Sequence, residues 1–278
     1  MIEFTKMHGL GNDYVYIDCT KKEEPKNISE LAKKVSNRHF GIGSDGLILI
    51  ENSKTCDFKM KMLNYDGSEA QMCGNGIRCV GKYVYDNGLT NKKNLTIETL
   101  AGTKTLKLNV VDEKVETVEV DMGEPILDPK LIPVISDEMP VKNLKLKALD
   151  KEFVFTCVSM GNPHAVTVVE DLENFDVEKY GKILEVDKHF PQRANIEFIE
   201  IEDRKNIKMR VWERGTGETF ACGTGSCAVC VASNLNNYTD KNVNIKLLGG
   251  ILKIDWRDNN HIHMTGSATK VFEGKFDE

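Results

Sequence analysis

Two cysteines in this chain open the same short motif, and their type and position suit proton transfer. Cys73 begins Cys-Gly-Asn-Gly, and Cys222 begins Cys-Gly-Thr-Gly. Each motif follows a strand-like segment and precedes a helical pattern, which predicts a thiol at the N-terminus of each helix. The helix dipole and the free backbone N–H groups there favour the thiolate, so we expect a thiol pKa lowered from about 8.5 toward neutrality. The same N–H groups are suited to bind a carboxylate.

The two motifs belong to a repeat that runs through much of the chain. Its members lie 149 or 150 residues apart: Gly11-Asn12 with Gly161-Asn162, His39-Phe40 with His189-Phe190, Glu69 with Glu218, and Cys73 with Cys222. A single register with one step of one residue relates all of these pairs. The pattern therefore predicts two copies of one fold.

The elements that carry the motifs follow the same repeat. Segments 57–64 and 206–213 have strand patterns. The first motif leads into a helix whose apolar residues share one face and which Asn87-Gly88 should end. The second leads into a helix that is apolar nearly all round and should be buried. A helix surrounded by many short strands, twice over, predicts an α+β protein of two pseudo-symmetric domains.

The boundary between the copies falls in a segment rich in proline. Four of the seven prolines lie between positions 125 and 140. We therefore expect an N-terminal half at 1–121 and a C-terminal half at 122–266. The strand-like segment at 267–278 lies beyond the second copy, and we expect it to return to the first domain.

Composition excludes several classes of protein. The net charge of −6 is spread along the chain, without the basic patch of a nucleic-acid-binding protein. No apolar run is long enough for a membrane span or a signal peptide, so we expect a cytoplasmic protein that binds no membrane. Eight cysteines in a reducing compartment are expected to be free thiols.

Other motifs imitate known sites without their context. Gly41-Ile-Gly43-Ser-Asp-Gly46 fits a dinucleotide-binding pattern, but a helical stretch precedes it and a strand follows, so a turn is expected. His261 and His263 lack a third metal ligand at a suitable spacing. Cys227 and Cys230 lie inside an apolar helix, where core packing is the simpler interpretation. No metal site is predicted.

Two activated thiols that face one cavity would suit inversion of a carbon centre. Related domains packed about a pseudo-twofold axis would bring both motifs to their interface. One thiolate would then remove a proton from one face, and the other thiol would return a proton to the opposite face. Helix N–H donors would stabilise the carbanion beside the carboxylate. This scheme needs no cofactor, and no lysine stands out as a pyridoxal phosphate ligand.

Four segments resemble the signature segments of the diaminopimelate epimerase family. They are MHGLGNDYVYID at 7–18, LNYDGSEAQMCGNGIRC at 63–79, GNPHAVTVV at 161–169 and WERGTGETFACGTGSCA at 212–228. They come in the family's order and cover both halves. The resemblance implies two pseudo-symmetric domains, each a mostly antiparallel set of strands wrapped around a central helix. It also implies a homodimer that interconverts LL- and meso-2,6-diaminopimelate, on the route to lysine and peptidoglycan.

The resemblance assigns roles to individual residues. Cys73 and Cys222 would be the acid/base pair, and His164 with Glu213 would set the thiol pKa values. The implied substrate ligands are Asn12, Asn64, Gly74, Asn75, Asn162, Asn195, Glu213, Arg214, Gly223 and Thr224. Taken alone, the asparagines fit turns and Glu213-Arg214 fits a surface charge pair. Some family members carry a substrate-contacting glutamine where this chain has Gly46.

Three alternative functions stay open at this point. Proline and hydroxyproline racemases use a similar cysteine pair on a cyclic substrate with one carboxylate. A thiol–disulfide redox protein usually has a Cys-x-x-Cys motif, and the only such spacing here is Cys227 to Cys230 in the apolar helix. A binding protein that kept the fold without catalysis is the third.

Oxidation should inactivate the protein, because two activated thiols across a small cavity can join as a disulfide. Activity is measured after treatment with a mild oxidant and again after a dithiol reductant is added. We expect loss in the first assay and recovery in the second. Full activity in the oxidised protein would show this prediction to be wrong.

Overall fold

The structure, a computed structural model, describes residues 1–277 and forms an α+β fold. The strands of the first half are β1 (Ile2–Gly9), β2 (Asn12–Asp18), β3 (Gly46–Glu51), β4 (Phe58–Asn64), β5 (Glu69–Ala70), β6 (Asn94–Thr99), β7 (Gly102–Val111) and β8 (Lys114–Gly123). Those that follow are β9 (Leu144–Ala148), β10 (Lys151–Ser159), β11 (Pro163–Val168), β12 (Asn195–Asp203), β13 (Asn206–Glu213), β14 (Gly217–Glu218), β15 (Asn242–Leu247), β16 (Gly250–Trp256), β17 (Ile262–Ser267) and β18 (Thr269–Phe276). The helices are α1 (Ile28–Ser36), α2 (Gly74–Asp86), α3 (Val177–Leu184) and α4 (Gly223–Leu235). Within residues 1–277, no helix is long and apolar enough to cross a membrane.

The chain forms two compact units with the same strand connectivity. Unit 1 contains Met1–Asp121 and the segment from Thr265 onward, and unit 2 contains Met122–Met264. In unit 1, β2 pairs parallel with β3 and β4 pairs parallel with β6, while β3 and β4 are antiparallel. In unit 2, β11 pairs parallel with β12, β13 with β15, and β12 runs antiparallel to β13. The predicted repeat of one fold is confirmed.

The last strand of the chain belongs to unit 1. β18 runs antiparallel to β1 from Ile2, paired with Phe276, to His8, paired with Thr269. β1 is also paired with β2, so β18 extends the sheet of unit 1 by one strand. Unit 1 is therefore assembled from both ends of the described chain.

A helix lies against the strands of each unit, as the sequence predicted. α2 packs on β1, β2 and β7, and α4 packs on β10, β11, β12, β15 and β16. Ile77, Val80 and Val84 of α2 are fully buried because their spacing places them on one face. The helix ends at Asp86 with Asn87 as its C-cap residue, and Gly88 follows with φ +70°, a conformation that suits glycine. Cys227 and Cys230 of α4 are fully buried, which confirms their predicted place in the core.

The glycine motif at 41–46 is a turn, as expected. The backbone N–H groups of Ile42 and Gly43 both donate to the carbonyl of Val35 near the end of α1. Gly43 has φ +82°, which other residues rarely adopt. β3 begins at Gly46, so no helix follows the motif and it cannot cradle a phosphate in the dinucleotide-binding manner.

Aromatic side chains organise the core of unit 2. Phe198 on β12 is fully buried, and its ring centroid lies 4.7 Å from that of Phe175 and 6.1 Å from that of Phe153. These contacts join β12 to β10 and to the segment before α3. The cluster therefore fixes the strand that also carries residues of the candidate site.

Phe198→Ala should lower the free energy of unfolding of unit 2 by about 3–5 kcal/mol, because it leaves a cavity in a packed core. Urea denaturation followed by near-ultraviolet circular dichroism measures the change. Phe40→Ala is the control, since that side chain is 90% exposed. Equal losses in the two variants would contradict the central role of the aromatic cluster.

Candidate active site

Cys73 lies where the sequence placed it, at the N-terminus of α2. It is the N-cap residue, with extended backbone dihedral angles (φ −131°, ψ 121°). Its Sγ accepts the backbone N–H of Gly76 at 3.4 Å, so the sulfur takes the position of a serine or aspartate cap oxygen. The side chain is half-buried, and Gly74 and Asn75 form the first turn beside it.

Asn12 and Tyr14 of β2 surround the Cys73 sulfur. The thiol donates to Asn12 Oδ1 at 3.2 Å, and Asn12 Nδ2 donates to Asp45 Oδ2 at 2.7 Å. Burial, and next the neighbouring Cys73, raise the pKa of Tyr14, so its hydroxyl keeps a proton that it can share with the sulfur. Asp45 therefore orients the Asn12 amide toward the thiol.

The carboxylate behind Asn12 belongs to a small charged network. Burial favours the neutral form of Asp13, but hydrogen bonds from Arg38 and Lys6 outweigh it and lower the pKa of Asp13. Burial and the charge of Asp13 raise the pKa of Asp45. Arg38 contacts both carboxylates at 2.9 Å and partly offsets their repulsion. Sequence reasoning missed Asp45, although it lies one residue before Gly46.

Cys222 repeats this geometry at the N-terminus of α4. It is the N-cap residue, and its Sγ accepts the backbone N–H of Gly225 at 3.3 Å. Thr224 Oγ1 lies 3.6 Å from the sulfur. Unlike Cys73, the residue is almost fully buried, with 5% of its surface exposed.

Carboxylates and an imidazole, rather than a tyrosine, surround the Cys222 sulfur. Glu213 hydrogen-bonds the thiol and accepts the Thr219 hydroxyl. Glu197 Oε1 lies 2.6 Å from His164 Nδ1, and both side chains are completely buried. His164 Nε2 lies 3.0 Å from Asn162 Oδ1. His164 thus contacts both Glu197 and Asn162, and one of its ring nitrogens lies within 4.8 Å of the Cys222 sulfur.

Glu197 is the clearest residue that sequence reasoning missed. Its signal was present: strand alternation puts Glu197 on the same face as Ile199 and Ile201, where a carboxylate interrupts an apolar row. Sequence reasoning also missed a group of three possible metal ligands. These are His164, Glu197 and Cys222, whose ligand atoms lie within 4.8 Å of one another. Tetrahedral zinc ligands are roughly 3.3 Å apart, given bond lengths near 2 Å. The 2.6 Å contact of His164 with Glu197 is therefore a hydrogen bond.

The asparagines among the remaining predicted ligands differ in how many of their amide groups are already hydrogen-bonded within the protein. Asn64 Nδ2 donates to Ser68 Oγ at 3.0 Å. Asn195 is buried, and its amide bonds the carbonyl of Pro163 and the N–H of Arg214. Both of its ends therefore hold backbone groups of unit 2.

Three further predicted positions lie in unit 2. The Arg214 guanidinium is exposed and donates to the carbonyl of Gln192 at 3.0 Å. Gly223 and Thr224 form the first turn of α4 beside Cys222. Their backbone N–H groups are therefore available at the positive end of the helix dipole.

Gly46 departs from the family pattern for a reason visible in the fold. A Cβ added there would lie 2.1 Å from the carbonyl oxygen of Leu63 on β4. A glutamine side chain therefore does not fit there without a shift of the paired strands, so the contact that the resemblance implies for a glutamine must be absent or replaced by backbone or water.

The expected lowering of the thiol pKa values is opposed by burial. Burial raises the pKa of Cys73, while the N–H of Gly76 and the Tyr14 hydroxyl act in the other direction. For Cys222, burial is reinforced by the charges of Glu213 and Glu197, and its pKa lies well above the usual value. The helix N-terminus thus lowers the thiol pKa values by less than burial raises them. The predicted direction of the pKa shift was wrong.

Sequence comparison matches this chain to a known family over most of its length. Residues 4–127 and 156–271 match the family model described as diaminopimelate epimerase. A diaminopimelate epimerase from Acetivibrio thermocellus is 59% identical over 277 residues, which cover 99% of each chain. The match thus spans both units and both cysteine motifs.

Solved structures share the fold at much lower identity. A phenazine biosynthesis protein of the PhzF family from Bacillus anthracis is 19% identical, with a TM-score of 0.72 over 99% of each chain. A hydroxyproline epimerase from Agrobacterium vitis, with bound trans-4-hydroxy-L-proline, is 12% identical, with a TM-score of 0.68 over 98% of this chain and 91% of its own. These similarities show the fold alone.

Iodoacetamide should alkylate Cys73 faster than Cys222 at pH 8, because Cys222 is more buried and lies beside two carboxylates. Since burial raises the pKa of both thiols, both rates should still rise above the pH at which an ordinary thiol titrates. Peptide-resolved mass spectrometry measures each site, with buried Cys227 as an unreactive control. A rate plateau below pH 8 at either site would contradict the prediction.

Proposed function

This chain belongs to the diaminopimelate epimerase family, and we propose that it inverts its substrate by proton transfer between Cys73 and Cys222. It is an isomerase that interconverts LL- and meso-2,6-diaminopimelate. The observation that carries the two-base proposal is the repeated thiol geometry. Each sulfur caps a helix and accepts the N–H of the glycine three residues later.

The proposed reaction moves one proton off and one proton onto the same carbon. One cysteine, as thiolate, takes the α-proton, and the C–H electron pair remains on the substrate as a carbanion. The other cysteine, as thiol, donates its proton to the opposite face and becomes the thiolate. The roles are exchanged in the reverse direction, so no net proton is gained or lost.

The helix N-termini supply the electrostatics of this step. The carbanion delocalises into the adjacent carboxylate, whose oxygens gain negative charge. Backbone N–H groups at Gly74, Asn75, Gly223 and Thr224 are the donors we assign to substrate carboxylate, since they lie in the first turns of α2 and α4. Donors fixed before the reaction stabilise that charge without reorganisation. This scheme uses the chain's own groups and no cofactor.

Burial of the thiols fits this chemistry. A substrate α-proton is a weak acid, so a base whose pKa is raised removes it more readily than an ordinary thiolate. Burial raises the pKa of Cys73, and burial with Glu213 and Glu197 raises that of Cys222. The fraction of active thiolate is then small at neutral pH, but each thiolate is the stronger base.

The polar side chains that the family resemblance assigns to the substrate favour a long substrate over a cyclic imino acid. Asn12, Asn64 and Asn162 offer amide groups, and the exposed guanidinium of Arg214 offers a second carboxylate partner. Proline has one carboxylate and no second amino-acid end. The hydroxyproline epimerase shares the fold at 12% identity, which gives no support for its substrate here.

Two further proposals concern the location and the oligomeric state of the protein. All eight cysteines are free, in keeping with a reducing, cytoplasmic location. The homodimer implied by the family resemblance stays a prediction.

Incubation with LL-diaminopimelate in D2O, with no added cofactor, tests the mechanism. We expect deuterium at the α-carbon together with a change in the LL:meso ratio. Cys73→Ser and Cys222→Ser should each lower the rate by a factor of about 10²–10⁴, since a serine hydroxyl is a far weaker acid. Cys56→Ser, near the surface, should leave the rate unchanged.

Each alternative gives a different result in that experiment. No exchange on LL-diaminopimelate in fully reduced enzyme would remove the diaminopimelate assignment, and exchange on proline would support the imino-acid racemase. Reduction of insulin disulfides by the protein would support the redox alternative. Tight binding of diaminopimelate without α-deuteration would indicate a binding protein.

A further inference from the structure

Glu197 has an environment that a purely structural carboxylate would avoid. Its side chain is completely buried on β12. Oε1 contacts His164, but Oε2 is buried without a hydrogen-bond partner among the described residues. A buried carboxylate with an unpaired oxygen is costly, and such groups are retained at functional sites more often than in ordinary cores.

The repeated fold shows that this position does not require a carboxylate. Strand register aligns Tyr14 on Gly46 in unit 1 and His164 on Asn195 in unit 2. Ile48 lies two residues after Gly46 on β3, and Glu197 lies two residues after Asn195 on β12, so the two residues hold matching positions. A Cβ on Gly76 would lie 2.7 Å from Ile48 Cδ1, and one on Gly225 would lie 2.8 Å from Glu197 Oε1.

Ile48 and Glu197 thus fill the same space against the first turn of their helices. One unit fills it with a methyl group and the other with a carboxylate oxygen. Either side chain can fill this space in the fold, so packing does not explain why a carboxylate stands at Glu197.

We propose that Glu197 is a positioning residue of the Cys222 half of the site, acting through His164 and through its own charge beside the thiol. The proposal rests on the role proposed for Cys222. Glu197 would support Cys222 in that role. The two thiols, which are alike in backbone geometry, would differ because only one of them lies beside this carboxylate.

The first effect passes through the imidazole. Glu197 accepts the Nδ1–H of His164 at 2.6 Å, which fixes the ring and turns Nε2 toward Asn162. Asn162 Oδ1 lies 3.0 Å from Nε2, and it accepts a hydrogen bond from the ring in the form that carries a proton on each nitrogen. The Nδ2 group of Asn162 is then directed away from His164 as a donor for the substrate.

The second effect is electrostatic. The titratable groups that face Cys222 from the strands packed against it are Glu213 of β13, Glu197 of β12 and His164 of β11. Thr224 and the N–H of Gly225 face it from its own helix. A negative charge at Glu197 disfavours the thiolate and keeps the proton on Cys222. Cys73 has an apolar residue, Ile48, at the matching place and lacks this effect.

Two variants separate the charge from the hydrogen bond. Glu197→Gln removes the charge but keeps an oxygen that can accept the Nδ1–H of His164. Glu197→Ile, the residue of unit 1, removes both. Glu200→Gln is the matched control, because it makes the same change on the same strand at a half-exposed carboxylate paired with Lys208.

The readout for the charge is the pH dependence of iodoacetamide alkylation at Cys222 and Cys73, resolved by peptide. Both Glu197 variants should shift the Cys222 curve to lower pH by about one unit or more, since a charge at this distance is weakly screened. The Cys73 curve, and both curves in Glu200→Gln, should not move. An unshifted Cys222 curve in either folded variant would overturn the electrostatic role.

The readout for the hydrogen bond is the division of the kinetic effect between KM and kcat. Glu197→Ile should raise KM for diaminopimelate about tenfold, as expected for one lost hydrogen bond in the site, whereas Glu197→Gln should leave KM near the wild-type value. Equal KM values in the two variants would overturn the role through His164. Alkylation needs no substrate, so a failed epimerase assignment would leave the shift at Cys222 measurable, and the two failures are distinguishable.

Discussion

The site depends on placing a thiol where a helix begins and water is largely excluded. A sulfur at the N-cap accepts the N–H of the glycine three residues later, and this contact favours the thiolate. Burial acts against it and raises the pKa of Cys73 and Cys222. In the proposed mechanism, the balance gives a base that is scarce at neutral pH but strong, as removal of a weakly acidic α-proton requires. Glycine in the first turn is needed because a Cβ on Gly225 would approach both Glu197 and the sulfur.

Duplication supplied two such helix ends, and side chains then made them different. Tyr14 and Ile48 accompany Cys73, whereas His164 and Glu197 hold the corresponding positions near Cys222. The backbone scaffold is shared, but a neutral donor faces one sulfur and carboxylates face the other. In the proposed mechanism, the two thiols thus act in unlike surroundings on two diastereomers, since LL- and meso-diaminopimelate differ at one α-carbon and share the configuration of the other.

Much of the fold was predictable because its signals are local or repeated. The bounds of α2 followed from the helical pattern and from Asn87-Gly88, the start of α4 followed from its cysteine motif, and β4 and β13 lie within one residue of the predicted strands. The duplicated topology followed from the spacing of the motifs. α3 was not predicted, since eight residues give only two turns of periodicity.

The surroundings of the thiols were less predictable because they depend on strand register. Asp45 meets Asn12 and Glu197 meets His164 across 33 residues of sequence, and only the parallel pairing of β2 with β3 and β11 with β12 aligns them. The pKa direction failed for a related reason. The helix N-terminus can be seen in the sequence, but the extent to which neighbouring strands exclude water from the sulfur cannot.

The pairing of β18 with β1 has a consequence for synthesis on the ribosome. Unit 2 is one continuous stretch, Met122–Met264, whereas unit 1 needs the segment from Thr265 onward. Domains fold as units while the chain emerges, so the second unit in the sequence is the first that has all its strands. The half with Cys73 must wait with an unpaired edge at β1 until the last strand arrives. Nascent chains that stop short of β18 would therefore carry a finished Cys222 half and an open edge prone to pairing with other chains.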